Sequence, residues 1–135
     1  MISFENLKEL CESRRSIRYF DEHPVDRKNI EMLLELGALA PSVQNTQPWR
    51  FHVIINADLK EKAMKASCYG NFIAGSSAFI VVTADQTARK ETSEIVWNPR
   101  ELEYSCVSAM EQMILGATAM GLGACWVSLH HGQVH

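Results

Sequence analysis

Two prolines seven residues apart, Pro41 and Pro48, constrain this chain more than any other local feature. Each disfavours helix at the residue before it, so the helical pattern preceding Pro41 ends at Ala40, and Gln47 is expected to be extended. After Pro48, Trp49 to Ile55 is rich in aromatic and β-branched residues and alternates in part, which predicts a strand ending at Asn56. A loop of fixed shape therefore joins a helix to a strand. It carries Ser42, Gln44, Asn45, Thr46 and Gln47, a dense set of uncharged donors and acceptors. Side-chain amides can serve a carbonyl and an adjacent ring N–H at the same time, so the loop could hydrogen-bond a polar heterocycle. Ser42 and Thr46 have a second use, since hydroxyls in turns commonly satisfy the turn's own backbone.

Upstream lies Arg14-Arg15-Ser16-Ile17-Arg18. Guanidinium groups stay charged, and their planar forks match phosphate oxygens, so Arg14, Arg15 and Arg18 with the Ser16 hydroxyl suit a phosphate. A short basic run standing alone is more often just a solvated face. Ile17, Tyr19 and Phe20 between and after the arginines predict a partly packed, extended segment. A packed arginine needs an anion, and either a ligand phosphate or the nearby Asp21 or Glu22 would serve.

The remaining chain reads as alternating helices and strands. Phe4, Leu7, Leu10 and Cys11 fall at helical spacing, with Ser3 as N-cap of a helix ending near Glu12. Asp26 caps a second helix whose Ile30, Leu33, Leu34, Gly37 and Ala38 share one face, and Leu36 and Leu39 widen that stripe. Asp58, with Glu61 three residues on, predicts a third helix start. Ala78 to Thr83 is an uninterrupted apolar run of strand length, the pattern of a central strand covered on both faces. The polar stretch 85–97 is the candidate for a mobile excursion or lid. Asn98-Pro99 followed by Glu101 predicts the start of a long helix carrying Cys106, Ala109, Met110, Met113, Ile114, Ala117 and Met120. Gly121 supplies its left-handed end, and an extended apolar segment runs from Ala124 to Leu129.

Composition excludes several function classes. At 135 residues the chain is one domain, with room for a core but not for separate cofactor and substrate domains, so a site must be a cleft or lie between subunits. A net charge of −3 and 21% charged residues offer no basic excess for nucleic acid or anionic membranes. Cys11, Cys68, Cys106 and Cys125 show no C-x-x-C pair, which argues against a zinc site and a disulfide framework; Cys106 and Cys125 read as buried, inert thiols. Met110, Met113 and Met120 read as core filling, and His130, His131 and His135 as a tail without metal. No leader and no membrane-spanning apolar run is apparent, so a cytoplasmic location is expected.

The order Arg-Arg-Ser-x-Arg, helix, Ala-Pro-Ser-x-x-Asn-x-Gln-Pro-Trp, then a long helix ending Gly-Leu-Gly-x-x-Trp resembles the nitroreductase family of FMN-dependent oxidoreductases, over nearly the whole chain from Phe4 to Trp126. The resemblance implies an α+β fold in a single domain, residues 1–135, with a mostly antiparallel sheet between helical layers. It also implies an intertwined homodimer with FMN at the interface. Arg14, Arg15, Ser16 and Arg18 match the residues that hold the phosphate and the pyrimidine side of the flavin. Pro41, Ser42, Asn45 and Gln47 match those lining the isoalloxazine and ribityl chain, and Ser128 and Leu129 fall where a backbone N–H reaches toward flavin N5. The implied activity is ping-pong hydride transfer from NAD(P)H through FMN to a nitroaromatic or quinone, with no separate catalytic side chain. Flavin binding without turnover is the alternative, as is the other flavin chemistry of relatives: dehalogenases, azoline dehydrogenases and a flavin-destroying enzyme. Two departures from the family pattern stand out. Ser128 occupies a position often held by glycine, and the chain stops at His135, where relatives continue with a further strand, part of the dimer embrace and basic groups near the phosphate.

Overall fold

The computed structural model describes residues 1–68, 75–88, 98 and 100–128. Four helices and a two-stranded antiparallel sheet make up the described part: α1 (Phe4–Ser13), α2 (Arg27–Ala38), β1 (Trp49–Ile54), α3 (Ala57–Lys65), β2 (Phe79–Ala84) and α4 (Glu101–Ala119). This is the expected α+β class.

The organising element is α4. Its apolar residues recur on more than one side, and Leu102, Cys106, Ala109, Met113 and Ala117 are buried. Two clusters form along its length. Toward its start, Cys106 and Ala109 pack with Ala40 and Trp49; toward its end, Met113 and Ala117 pack with Leu33 of α2. The Gln112 amide also donates to the Leu36 carbonyl at 2.8 Å, fastening α4 to α2. The helix ends as expected at Gly121, whose φ of 74° an L side chain would resist. There Leu122 N–H bonds the Ala117 carbonyl and Gly121 N–H the Thr118 carbonyl, the paired bonds of a Schellman close.

Several local expectations are corrected. The cap of α3 is Asn56, whose side chain accepts from the Asp58 and Leu59 N–H groups, so Asp58 lies inside the first turn. Asn98 does not cap α4 directly. Its Oδ1 accepts from Arg100 N–H and its carbonyl from Glu101 N–H, an Asx turn that delays the helix to Glu101. Asp26 precedes α2 as expected, but through its carbonyl, which accepts from Asn29 and Ile30. Ser3 caps α1 as anticipated, accepting from Asn6 N–H. Leu39 does not extend the buried stripe of α2; it is exposed.

The largest correction concerns β2. Among the described residues it pairs only with β1, in the register Trp49 with Ala84 through Ile54 with Phe79, and five of its six residues are half-buried rather than buried. Its apolar run borders an open, mainly apolar cleft of about 640 Å³ lined also by Met110 and Met113 of α4 and by Leu122 and Ala124 beyond it. The described segment after Gly123 is not a regular strand; Ala124 forms a parallel bridge with Ser16, and the Ser128 carbonyl accepts from Cys68 N–H.

Candidate functional site

The loop from Pro41 to Pro48 is built on α4. Its two ends are fixed by burial, Ala40 on one side and Pro48 and Trp49 on the other. Its middle is fixed by hydrogen bonds. Val43 N–H donates to Ser105 Oγ of α4 at 3.0 Å, and Gln47 N–H donates to Ser42 Oγ at 3.0 Å. Thr46 Oγ1 donates to the Val43 carbonyl at 2.8 Å, closing a short 3-10 turn at Val43–Asn45. Ser42 and Thr46 thus take the turn-closing use foreseen for hydroxyls.

This geometry forces unusual backbone. Gln44, Asn45 and Gln47 have φ values of 47°, 53° and 47°, in the left-handed region that costs an L residue about 1–2 kcal/mol and that asparagine tolerates better than glutamine. Gln47 is therefore not extended. Pro48 excludes the right-handed helix before it, and the pull of Ser42 Oγ on Gln47 N–H turns the chain left-handed instead. Asn45 and Gln47 are exposed, and neither side-chain amide has a hydrogen bond to another described residue.

The arginine segment is held more loosely. Ile17 N–H donates to the Ala124 carbonyl at 3.0 Å, and Ile17 packs so closely on Gly123 that a Cβ there would meet Ile17 Cγ2 at 2.9 Å. Arg14 is the C-cap of α1 and half-buried, while Arg15, Ser16 and Arg18 are exposed. Arg15 Nη1 turns back to donate to the carbonyls of Glu12 and Arg14, at the end of α1. Asp21 is engaged by His23, accepting its N–H at 3.0 Å. Tyr19, expected to pack, is 94% exposed.

The two motifs rest on different stretches of α4. The loop meets α4 at Ser105, Cys106 and Ala109, whereas Ala124, which carries the arginine segment, packs in the cluster of Met113 and Ala117. From residue 105 to 117 the helix rises about 18 Å at 1.5 Å per residue. The cleft beside β2 is lined by Ile17 of the arginine segment and by Tyr19 and Phe20 after it; of the nine described residues singled out from the sequence, Ser128 lines it. Ser128 is exposed and its carbonyl accepts from Cys68 N–H at 2.9 Å. Leu129, the histidines His130, His131 and His135, and all of the stretch 85–97 beyond Ala88 lie outside the described residues.

The four cysteines are free thiols; Cys106 is buried, and that burial pushes its thiol above the ordinary range, whereas Cys125 is half-buried rather than buried. No group of histidine, cysteine, aspartate or glutamate suited to a metal occurs among the described residues, nor is any described helix long and apolar enough to cross a membrane. Ser105 escaped the sequence reading altogether, because a serine inside an apolar helix gives no local sign of a partner 62 residues away.

The model of the nitroreductase family matches residues 11–133. The chain belongs to the nitroreductase family. A protein of Archaeoglobus fulgidus, named for NADH dehydrogenase and NAD(P)H nitroreductase activity, is 31% identical over 126 residues, covering 93% of this chain and 69% of that one. The oxygen-insensitive NADPH nitroreductase of Helicobacter pylori is 37% identical over 119 residues, covering 84% and 56%. Among solved structures, a Desulfovibrio desulfuricans protein named as a nitroreductase and crystallised with FMN superposes with a TM-score of 0.77 at 31% identity, over 89% of this chain and 66% of that one. This nitroreductase-family chain therefore spans roughly two-thirds of the length of these relatives or less.

Proposed function

We propose that this nitroreductase-family chain binds FMN and serves an NAD(P)H-dependent oxidoreductase acting on nitroaromatic or quinone-type acceptors. The observation that carries the reading is the loop 41–48: three left-handed, non-glycine residues, clamped against α4, presenting two amides without partners among the described residues. Strained backbone that the surroundings over-determine is characteristic of ligand sites. The donor set fits the cofactor. Asn45 and Gln47 can each offer an N–H and a carbonyl to the edge of a heterocycle, and Arg14, Arg18 and the Ser16 hydroxyl suit a phosphate dianion. When bound, FMN supplies two-electron transfer between a nicotinamide and an acceptor, while the protein supplies orientation and electrostatics.

The chain's own residues have three tasks in this scheme. The arginine segment anchors the anionic end of the cofactor. The loop fixes the orientation of its ring through amides that need no rearrangement on binding. Positive charge near the ring favours an anionic reduced form.

The separation of the two motifs along α4 supports a site shared by two copies, the loop of one protomer facing the arginine segment of its partner. Unpartnered apolar surface supports the same assembly: Phe4 and Leu7 of α1 are 73% and 49% exposed, and Tyr104 and Val107 of α4 are exposed as well. A cytoplasmic homodimer is the proposed form. The test is titration of the purified chain with FMN, followed by NADH and NADPH oxidation with menadione or nitrofurazone. Flavin uptake with acceptor-dependent turnover is expected. Uptake without turnover would leave a flavin-binding protein, and no uptake would remove the reading.

A further inference from the structure

We infer that Ser105, on the buried face of the first half of α4, is a positioning residue for the 41–48 loop, acting on the bound cofactor through Val43 rather than by touching it. Ser105 is buried, with a relative exposure of 5%. Both capacities of its hydroxyl are used: the O–H donates to the Glu101 carbonyl at 2.7 Å, and the oxygen accepts the Val43 N–H at 3.0 Å. The first bond, back onto the preceding turn of the helix, fixes where the lone pair points. The second therefore sets Val43, the residue immediately before Gln44 and Asn45, at one place on the helix.

That place matters because the three residues with φ near 50° have lower-energy alternatives. The apolar anchors at Ala40 and Trp49 fix only the loop's ends. Ser42 Oγ ties Gln47 to the loop itself, not to the body of the protein. Among the described residues, the Val43 to Ser105 bond is the only hydrogen bond joining the loop interior to α4. Without it the segment 43–47 keeps its internal bonds and a long Arg50 Nη1 bond to the Gln47 carbonyl at 3.4 Å, but loses its hydrogen bond to α4 and can shift on the helix, carrying the Asn45 and Gln47 amides away from a common edge. Removing the acceptor also strands a donor at a part-buried position.

The inference rests on the reading of the loop as a flavin contact, and its experiment separates the two. FMN affinity is measured by fluorescence quenching for the wild-type chain, Ser105→Ala, Ser105→Thr and Thr118→Ala. Thr118 makes the same kind of back-bond, to Ile114, near the other end of α4, and serves as the control for simple helix damage. Ser105→Ala is expected to weaken FMN binding about tenfold and to alter the visible circular dichroism of the bound flavin; Ser105→Thr restores both, and Thr118→Ala changes neither. Amide hydrogen exchange of Val43 gives a readout free of cofactor: slow in the wild-type chain, fast in Ser105→Ala. Equal FMN affinity and an unchanged flavin spectrum in Ser105→Ala would overturn the inference. So would rapid exchange at Val43 in the wild-type chain, which decides the matter even where Ser105→Ala does not fold. A wild-type chain that binds no FMN but protects Val43 would sink the flavin reading and leave Ser105 as a loop clamp alone.

Discussion

The loop 41–48 and the segment 14–18 are the two candidate halves of one site, yet they are made in opposite ways. The loop is templated: its ends are buried, its interior is bonded to α4, and its backbone is held in conformations it would not choose. The arginine segment is tethered: a bridge from Ser16 to Ala124 and the close contact of Ile17 on Gly123 guide its path, and Arg15, Ser16 and Arg18 are exposed. Shape recognition needs fixed donors, whereas charge recognition tolerates movement because Coulomb attraction is long-ranged and non-directional. Changes to the loop should therefore act through structure, and changes to the arginine segment through charge.

The largest expected effect is on the templated half. Trp49→Ala removes a nearly buried side chain stacked 6.4 Å from Phe51 and should cost about 3–5 kcal/mol in urea denaturation, with FMN binding lost in parallel. A small change in stability would mean that the loop is not anchored by the core. On the tethered half, Arg14→Ala should leave stability nearly unchanged but weaken FMN binding by about 1.5–3 kcal/mol, roughly ten- to a hundredfold. Arg27→Ala is the control, since Arg27 pairs with Glu31 within α2. Equal affinities for the two variants would remove the phosphate assignment. The Arg14 contribution should also shrink as salt rises, whereas the loop's should not.

Smaller effects sharpen the contrast. Gly123→Ala forces a Cβ against Ile17 and should destabilise by about 1–2 kcal/mol, displacing the arginine segment without touching the loop. Chemical shifts confined to residues near 17 and 124 would bear this out. Gln44→Gly should raise stability by about 0.5–1 kcal/mol, because glycine accepts φ of 47° without strain, and yet bind FMN no better, since the freed loop is less ordered beforehand. A tighter-binding Gln44→Gly would show that the loop is held in the wrong shape. Last, Cys106 contributes a pH dependence. Burial favours its neutral thiol, so that contribution is complete below the unfolded thiol's titration and is lost as pH rises from there through the raised titration of the folded thiol. Urea midpoints at pH 7 and pH 10 should differ less in Cys106→Ala than in the wild-type chain.

How much of this was legible in the sequence follows from range. The end of α4 was readable because glycine at a helix terminus acts locally, and the limits of the loop were readable from Pro41 and Pro48. Asn56 and Asp58 compete for the same cap two residues apart, so pattern alone could not choose between them. The state of β2 was not readable. Its apolar run describes cover that the described chain supplies only in part, since its one pairing is with β1. The left-handed turns at Gln44 and Gln47 ran against the ordinary preference of glutamine; beside Gln44 the chain is held by the Val43 bond to Ser105 far along the sequence, and at Gln47 by Pro48 and the Ser42 hydroxyl. The candidate site was thus visible as residue types, but the split of its two halves along α4 was not.

That split is the central claim, and mixed dimers test it directly. Chains carrying Arg14→Ala and chains carrying Asn45→Ala are differently tagged, mixed, and the heterodimer isolated for FMN titration. If the loop of one protomer meets the arginine segment of its partner, one site in the heterodimer collects both substitutions and the other none. The account predicts one FMN bound per heterodimer with wild-type affinity, although each variant homodimer binds weakly. A heterodimer whose two sites both bind as weakly as the homodimers would contradict it and return the whole site to a single chain.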